Sequence, residues 1–179
     1  MALLSIAKDS DSCQFASSTL RGDRDFASKA VEINGLLLRF LSPELQDDPD
    51  IALAAVKNLA FAILYASLRL QADPKIVLEA IKKDPQLFRF GLFLITSLNN
   101  NREFMLDTIE VNANIFKLTH KDLLDKDFTF EAIQRNGWVL QHLSDTEKGH
   151  EAIALAAIKK IQIPCVMYHP HFEMMPYLL

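Results

Sequence analysis

The stretch IALAAVK at residues 51–57 returns as IALAAIK at residues 153–159. No turn, helix or hairpin spans so long a separation, so intermediate copies of the phrase are expected. Taking Val56 as the anchor position, we find a Val or Ile recurring at spacings of 25, 25, 28, 24 and 25 residues. A fixed period of this kind is typical of stacked supersecondary units. The anchors of the six copies are Val31, Val56, Ile81, Ile109, Ile133 and Ile158.

Each copy begins with the pattern of a short helix. A large apolar residue stands five positions before every anchor, and another stands three positions before it in every copy except the first, which has Ser28. Asp48-Pro49 and Asp73-Pro74 place a capping carboxylate directly before Pro at the first helical position. We therefore predict a first helix of about ten residues in each copy. The matching cap positions elsewhere are taken by Asp23, Asn100 or Asn101, and Asp125.

A second helix is predicted after each first one. The pairs Asn34-Gly35, Asn112-Ala113 and Asn136-Gly137 follow the first helix, and Asn and Gly tolerate the left-handed conformation in which helices end. Asp84-Pro85 can instead start the next helix directly. An apolar segment of about eight residues follows each time. The unit is therefore two short helices in about 25 residues.

One copy alone has too few apolar side chains to offset the conformational entropy lost when its residues become ordered. Stacking against neighbouring copies supplies the missing burial, which explains why the same surface recurs along the chain. We therefore predict an all-α protein, namely a right-handed α-solenoid of about six short two-helix repeats with a period of about 25 residues.

The residues at Asp125 to Gly137, DKDFTFEAIQRNG, follow the pattern D-x-[DEK]-[FI]-x-[LF]-x-A-[VI]-x-x-N-G. This pattern resembles the bacterial repeat catalogued as domain of unknown function 4116. The likeness covers residues 23 to about 145, with a fainter sixth copy beyond, and the family's unit is about two of these copies. The resemblance implies an all-helical repeat and, for some members, a place among effector proteins of intracellular bacteria. It implies no activity and no functional residues.

Three segments are predicted from the extent of the repeats. We expect residues 1–22 to form an N-terminal leader that caps the stack, residues 23–168 to form the helical repeat domain, and residues 169–179 to form a C-terminal tail. Leu3, Leu4 and Ile6 of the leader are expected to cover the first copy, where Ser28 replaces an apolar residue.

Two irregular places are expected within the stack. The spacing of 28 puts about three extra residues near Thr96 to Asn101, where SLNNN is typical of a loop, and we expect the superhelix curvature to change there. Pro164 interrupts the last copy and is expected to start a deviant closing helix. The apolar tail would then fold against the end of the stack or dock on another chain.

Composition and charge favour a soluble protein that binds other proteins. The net charge of −4 gives no general attraction to the phosphates of nucleic acids. Cys13 and Cys165 form no disulfide framework, so we expect a reducing compartment. The first residues lack the cationic start and long apolar core of a signal peptide, and no apolar run is long enough to span a membrane. We expect a cytoplasmic protein, or one exported into a host cell without a classical signal peptide.

No residue cluster predicts catalysis, a metal site or a cofactor. Cys165, His169 and His171, with or without His150, have ligand chemistry that would suit zinc, but their spacing does not bring four ligands together. Cys13 or Cys165 could pair with His142 as a nucleophile and base, yet no Gly-rich turn or oxyanion-hole motif accompanies them. We therefore predict no enzyme, no cofactor and no metal.

The second helices offer a candidate binding surface. Positions five and eight after each anchor lie on one helix face and mix basic, amide and aromatic side chains. We call these positions the second-helix stripe. Aromatic residues on such a surface are typical anchors of protein interfaces. The predicted partner-binding residues are Arg39, Phe61, Arg89, Lys117, Trp138 and Gln141.

Trp138 is the sharpest case in the stripe. Its position holds Gln86 and Asn114 in other copies, so we expect the indole to be partly exposed. The opposite interpretation, that Phe61 and Trp138 pack beneath loops, is also open. The sequence favours a noncatalytic protein–protein interaction module, with an RNA-binding repeat protein or an enzyme with an unrecognised site as alternatives. The identity of the partner and the oligomeric state stay open.

Overall fold

The computed structural model describes residues 10–90 and 96–161, and all regular structure in these ranges is helical. Six α-helices in the described part of the chain have ten or eleven residues, and each contains one of the six anchors. The predicted all-α class and first helices are confirmed. These helices are α1 (Arg24–Ile33), α2 (Pro49–Asn58), α3 (Pro74–Lys83), α4 (Arg102–Val111), α5 (Lys126–Arg135) and α6 (Glu151–Ile161).

Side-chain caps start these helices where the sequence places them. The Asp48 carboxylate accepts hydrogen bonds from the backbone N–H groups of Asp50 and Ile51, at 2.9 and 3.2 Å. Asn101, rather than Asn100, caps α4. Each cap satisfies amide groups that have no partner within the first helical turn. The other predicted caps are confirmed at Asp23, Asp73 and Asp125.

The second helices are 3₁₀-helices of six residues, so the predicted length of about eight was wrong. A 3₁₀-helix has three residues per turn, so side chains three residues apart lie on the same side of it. We label these helices η1 (Gly35–Phe40), η2 (Ala60–Tyr65), η3 (Pro85–Phe90), η4 (Ala113–Leu118) and η5 (Gly137–His142).

The Asn residues between the paired helices have a different role from the predicted one. Asn34 lies at φ −152° and ψ 115°, which is extended rather than left-handed backbone. Its side-chain oxygen accepts a hydrogen bond from the N–H of Leu36 at 3.0 Å and so starts η1. Asn112 and Asn136 do the same for η4 and η5. Asn is therefore the N-cap of the second helix rather than the end of the first.

Gly35 and Gly137 are required by close packing rather than by a left-handed turn. A Cβ atom on residue 35 would collide with the backbone carbonyl of Ala55 in α2. On residue 137 it would lie 2.8 Å from the carbonyl oxygen of Ala157 and 2.6 Å from Cγ1 of Ile161. The first residue of η1 and of η5 thus touches the next long helix, which explains why both positions hold Gly. The other described second helices begin with Ala60, Pro85 and Ala113.

One-turn helices join each second helix to the next cap. The run SLNNN was predicted as a loop, but Thr96–Asn99 is one of these turns and its Leu98 is buried. The three extra residues of the long spacing fall between Phe90 and Thr96 instead. The expected change of curvature stays a prediction. The other turns are Ser18–Arg21, Pro43–Gln46, Leu68–Gln71, Asp145–Lys148 and the 3₁₀ turn Lys121–Leu123.

The core forms between neighbouring copies. Each long helix packs against the long helix before it, and η1 packs against η2 as η4 does against η5. In α1–α5 the anchor and the positions one, four and five residues before it are buried, and α4 buries Leu106 as well. This side of each helix faces the neighbouring helices. Within the described ranges, no helix is both long and apolar enough to cross a membrane.

The described part of the predicted leader has the same elements as a copy. Ser10–Phe15 is a six-residue 3₁₀-helix, and Ser18–Arg21 is a one-turn helix, 25 residues before their counterparts η1 and Pro43–Gln46. Cys13 is fully buried in a small cluster with Phe26, Ala30 and Leu37. The second half of a further copy therefore precedes α1. Leu3, Leu4 and Ile6 lie outside the described residues, as do Pro164 and the tail at 169–179.

Polar side chains link successive copies. Asn58 at the end of α2 donates to the carbonyl of Glu32 and accepts from the N–H of Gly35, both at 2.8 Å. Arg24 of α1 pairs with Asp48 at 2.9 Å, so one carboxylate both caps α2 and holds α1. These contacts cross the interface between copies and therefore define how one copy sits on the next.

Candidate protein-binding surface

The 3₁₀ geometry determines which residues of the second helices face solvent. The sixth and seventh positions after each anchor point into the core, as Leu37 and Leu38 do in η1 and Ile115 and Phe116 do in η4. The fifth and eighth positions lie on the opposite side, because three residues complete one turn. The second-helix stripe is therefore an outward-facing row at the positions predicted from the sequence.

The described side chains of the stripe are exposed or half-buried. Arg39, Lys117 and Gln141 are exposed, whereas Phe61 is half-buried and packs against the core. Trp138 is 45% exposed, which confirms the predicted partial exposure of the indole and excludes the alternative that it lies beneath a loop. The side chain of Arg89 lies outside the described residues. A role of these residues in partner binding stays a prediction.

Contacts between neighbouring second helices join parts of the stripe into continuous surface. Because η4 packs against η5, the helix that carries Asn114 and Lys117 lies next to the helix that carries Trp138 and Gln141. The same contact between η1 and η2 places Leu36 and Arg39 beside the row of Phe61 and Leu64. Each part thus combines one large aromatic side chain with a cation from the preceding copy.

The stripe is cationic although the whole chain is acidic. Arg39, Arg89 and Lys117 occupy three of its positions, and no position holds Asp or Glu, while the chain has a net charge of −4. The guanidinium of Arg39 lies 4.3 Å from the ring centre of Phe40, which fixes the charge against the surface. The stripe therefore carries positive charge in a chain whose net charge is negative, which favours an acidic ligand.

His142, beside the stripe at the end of η5, does not add to this charge. Burial lowers the pKa of its imidazole, and the positive charges of Lys117 and Lys148 lower it further. The imidazole is therefore neutral at pH 7.

The sequence missed a second apolar surface on the long helices. The large residues three positions before the anchors were interpreted as part of the repeated apolar pattern, but Phe130 is 36% and Leu155 is 49% exposed. Together with Lys159 and Lys160 they line a groove of about 430 Å³ between α5 and α6. The equivalent residue of α4, Leu106, is buried. Whether this position is buried or exposed depends on which element covers the helix, and the sequence repeat alone does not show that.

The residues considered for catalysis or metal binding do not form a site in the described part of the chain. Burial raises the pKa of the Cys13 thiol, and this residue packs among apolar side chains. It is therefore a thiol rather than a reactive thiolate at neutral pH. Among residues 10–90 and 96–161, no group of His, Cys, Asp and Glu could hold a metal ion. Cys165, His169 and His171 lie outside these ranges.

The architecture defines an all-helical protein in which a long α-helix, a 3₁₀-helix and a one-turn helix alternate from copy to copy. The family model described as domain of unknown function (DUF4116) matches residues 1–46, 48–90 and 101–148. These matches cover most of the chain, which therefore belongs to this family. Each match is about two copies long, and the first one includes the segment predicted as a leader. No curated protein and no solved structure matches the chain.

Proposed function

We propose that this protein is a noncatalytic protein-binding module whose copies stack as a right-handed α-solenoid. The successive packing of the long helices supports the stacking, because the principal contacts join elements of the same copy or of adjacent copies. Three successive family matches also support a repeated organisation. Solenoids of this type present side chains from several copies on one extended surface.

The observation that carries the proposed binding function is the exposure of Trp138 on η5, which packs against η4, the helix that carries Lys117. A large aromatic side chain that is 45% exposed offers a partner apolar area without requiring any change of the fold. Trp residues are strongly enriched among the residues that dominate binding energy. The stripe around it carries cations and amides but no carboxylate. The proposed partner is therefore a protein segment with an apolar side chain flanked by Asp or Glu.

The test compares the proteins captured from lysates by the unmodified chain and by Trp138→Ala. A partner of the stripe should be captured by the unmodified chain and lost with Trp138→Ala, and its measured affinity should fall by about 2 kcal/mol or more. Lys117→Ala should mainly slow association, and its effect should shrink at high salt. Leu68→Ala is the matched control, since Leu68 is 83% exposed but lies outside the stripe.

The same experiment identifies the alternatives. If the Trp138→Ala and Leu68→Ala variants capture the partner equally strongly, the proposed site is contradicted. Micromolar binding to random RNA at physiological salt would favour the RNA-binding alternative. Export into a host cell stays a prediction. To test it, the capture is carried out with lysates of both the source cell and a candidate host cell. A specific partner that comes from the host lysate would support export.

A further inference from the structure

The exposed side of α6 is apolar in the middle and charged at its two ends. Leu155 is 49% exposed, and Ile158, which holds the anchor position, is 46% exposed, whereas the anchors of α1–α5 are all 0% exposed. Glu151 and Lys159 are exposed as well. Along its eleven residues, α6 therefore presents an acidic side chain, two large apolar side chains and a basic side chain in that order.

Helix geometry places these side chains together. Glu151, Leu155 and Lys159 follow one another at intervals of four residues, and residues at this interval form a ridge along the surface of an α-helix. Ile158 lies three residues after Leu155 and therefore next to the same ridge. Within the described ranges, neither Glu151 nor Lys159 takes part in an ion pair. Both charges are therefore available to a partner.

The groove between α5 and α6 gives a second helix room to approach this ridge. Ala152 and Ala156 line the groove, and side chains as small as theirs allow close packing between helices. Phe130 and Leu155 line it too, so most of the surface that a partner would cover is apolar. Removing such surface from water is the dominant favourable term in protein association.

We infer that two copies of the chain associate through α6, as an antiparallel pair of helices about a two-fold axis near Leu155. This axis brings Glu151 of each copy close to Lys159 of the other, because the two residues lie equally far from Leu155 on either side. Two ion pairs then flank a centre that Leu155 and Ile158 of both copies form. The patch is its own complement, as a two-fold interface requires. A parallel pair would instead place like charges together.

The size of the patch makes the dimer a weak one. One helix of eleven residues and its flank offer less than the roughly 800 Å² per partner that is typical of stable complexes. Association should therefore depend on protein concentration and weaken at high salt. The second-helix stripe lies on other elements, so the inference is independent of the proposed binding function, and either can fail without the other.

Reversing the charges tests the inference in the full-length chain. Sedimentation velocity over about a hundredfold range of concentration should show a monomer and a dimer. Glu151→Lys should stay monomeric, because both ends of its exposed side are then basic, and Lys159→Glu should stay monomeric, because both ends are then acidic. An equimolar mixture of the two variants should form heterodimers, since opposite charges meet again at both ends. Circular dichroism confirms that each variant is folded.

The matched control for charge reversal is Lys57→Glu. Lys57 holds in α2 the position that Lys159 holds in α6, and it is also exposed. This variant should dimerise like the unmodified chain. The inference is overturned if the unmodified chain stays monomeric, as it would if another segment covered α6. Self-association that persists unchanged in Glu151→Lys, or a mixture that restores no dimer, would overturn it too.

Disulfide cross-linking tests the position of the axis without altering any charge. Leu155→Cys, in a chain with Cys165→Ser, should form a disulfide between two chains on mild oxidation, because equivalent residues near a two-fold axis lie close together. Cys13 is fully buried and does not compete. Leu68→Cys in the same background is the control, because Leu68 is 83% exposed but lies away from α6. Equal cross-linking from both positions would contradict the inferred interface.

Discussion

At the scale of single residues, the carboxylate of Asp48 both caps a helix and forms an ion pair with the preceding copy. Its Oδ1 accepts the capping hydrogen bonds of α2, and its Oδ2 pairs with Nε of Arg24 in the preceding copy at 2.9 Å. The hydrogen bond from Arg24 holds the pKa of Asp48 below its ordinary value, and the bonds from Ile51 and Asp50 lower it further. The start of one helix and the docking of its neighbour therefore depend on the same ionised group.

Asp48→Asn should separate the two functions, since Asn caps helices as well as Asp does but carries no charge. The variant should lose roughly 0.5–1 kcal/mol of unfolding free energy at pH 7, the range of a partly exposed ion pair. Because the folded-state pKa is lowered, the ion pair stabilises above the unfolded-state pKa of about 3.9, and this contribution is lost as pH falls through the folded value. Urea unfolding at pH 7, 5 and 3 measures the difference.

The control for this prediction is Asp73→Asn. Asp73 caps α3 in the same way, with bonds to Lys75 and Ile76, but it makes no ion pair with a described residue. Its substitution should change stability less, and by an amount that varies little with pH. A deficit of Asp48→Asn that persisted unchanged at pH 3 would show that Arg24 is not the cause.

Gly35→Ala should destabilise the protein although it adds only one methyl group. The new Cβ would collide with the carbonyl of Ala55 and lie 3.2 Å from the nitrogen of Leu59, and backbone atoms inside a helix cannot move aside. We expect a loss of about 1–3 kcal/mol in unfolding free energy, as for other overpacked sites. Gly22→Ala is the matched control, because its Cβ would meet its nearest neighbour at 3.5 Å and should be tolerated. Thermal unfolding of the two variants compares them directly.

At the scale of elements, the long helices could be predicted from the sequence and the second helices only in part. Caps such as Asp48 and apolar anchors such as Val56 are local signals, and they sufficed for α1–α6. A 3₁₀-helix and a short α-helix share similar apolar spacing over six residues, so the type of the second helix was not decided by pattern. The exposed row around Trp138 was still predictable, because polar residues replace it in other copies.

The remaining errors concern residues whose role depends on contacts with a neighbouring copy. Asn34-Gly35 has the sequence pattern of a helix end, but the close approach of Ala55 that requires Gly arises only after two copies pack. The second half of a further copy at Ser10–Arg21 was missed, although MALLSIAK at residues 1–8 stands fifty residues before IALAAVKN and resembles it. The apolar groove beside Leu155 was missed for the same reason, since exposure depends on the next element.

Arg135 joins the elements α4 and α5. Its Nη1 lies 2.5 Å from Asp107 and its Nη2 lies 2.5 Å from Glu103, while the Arg135 side chain is only 28% exposed. A double-mutant cycle on Arg135 and Asp107 should give a coupling of about 1 kcal/mol that decreases in high salt, at the upper end for partly exposed pairs. Lys148 and Asp145, 3.8 Å apart with Asp145 fully exposed, form the control pair and should couple negligibly. Equal coupling energies in the two pairs would show that the partial burial of Arg135 does not strengthen its ion pair.

At the scale of the whole molecule, the proposed solenoid makes a prediction about size. Six long helices stacked at about 8–10 Å between axes give a body roughly 50–60 Å long, because each helix packs mainly on its neighbours. We therefore expect a radius of gyration of about 18–20 Å, whereas a compact domain of this length would have about 16 Å. Small-angle X-ray scattering of the monomer measures this quantity, and a concentration series separates elongation from self-association. A monomer at the compact value would contradict stacking in one direction and, with it, the extended surface on which the proposed binding function depends.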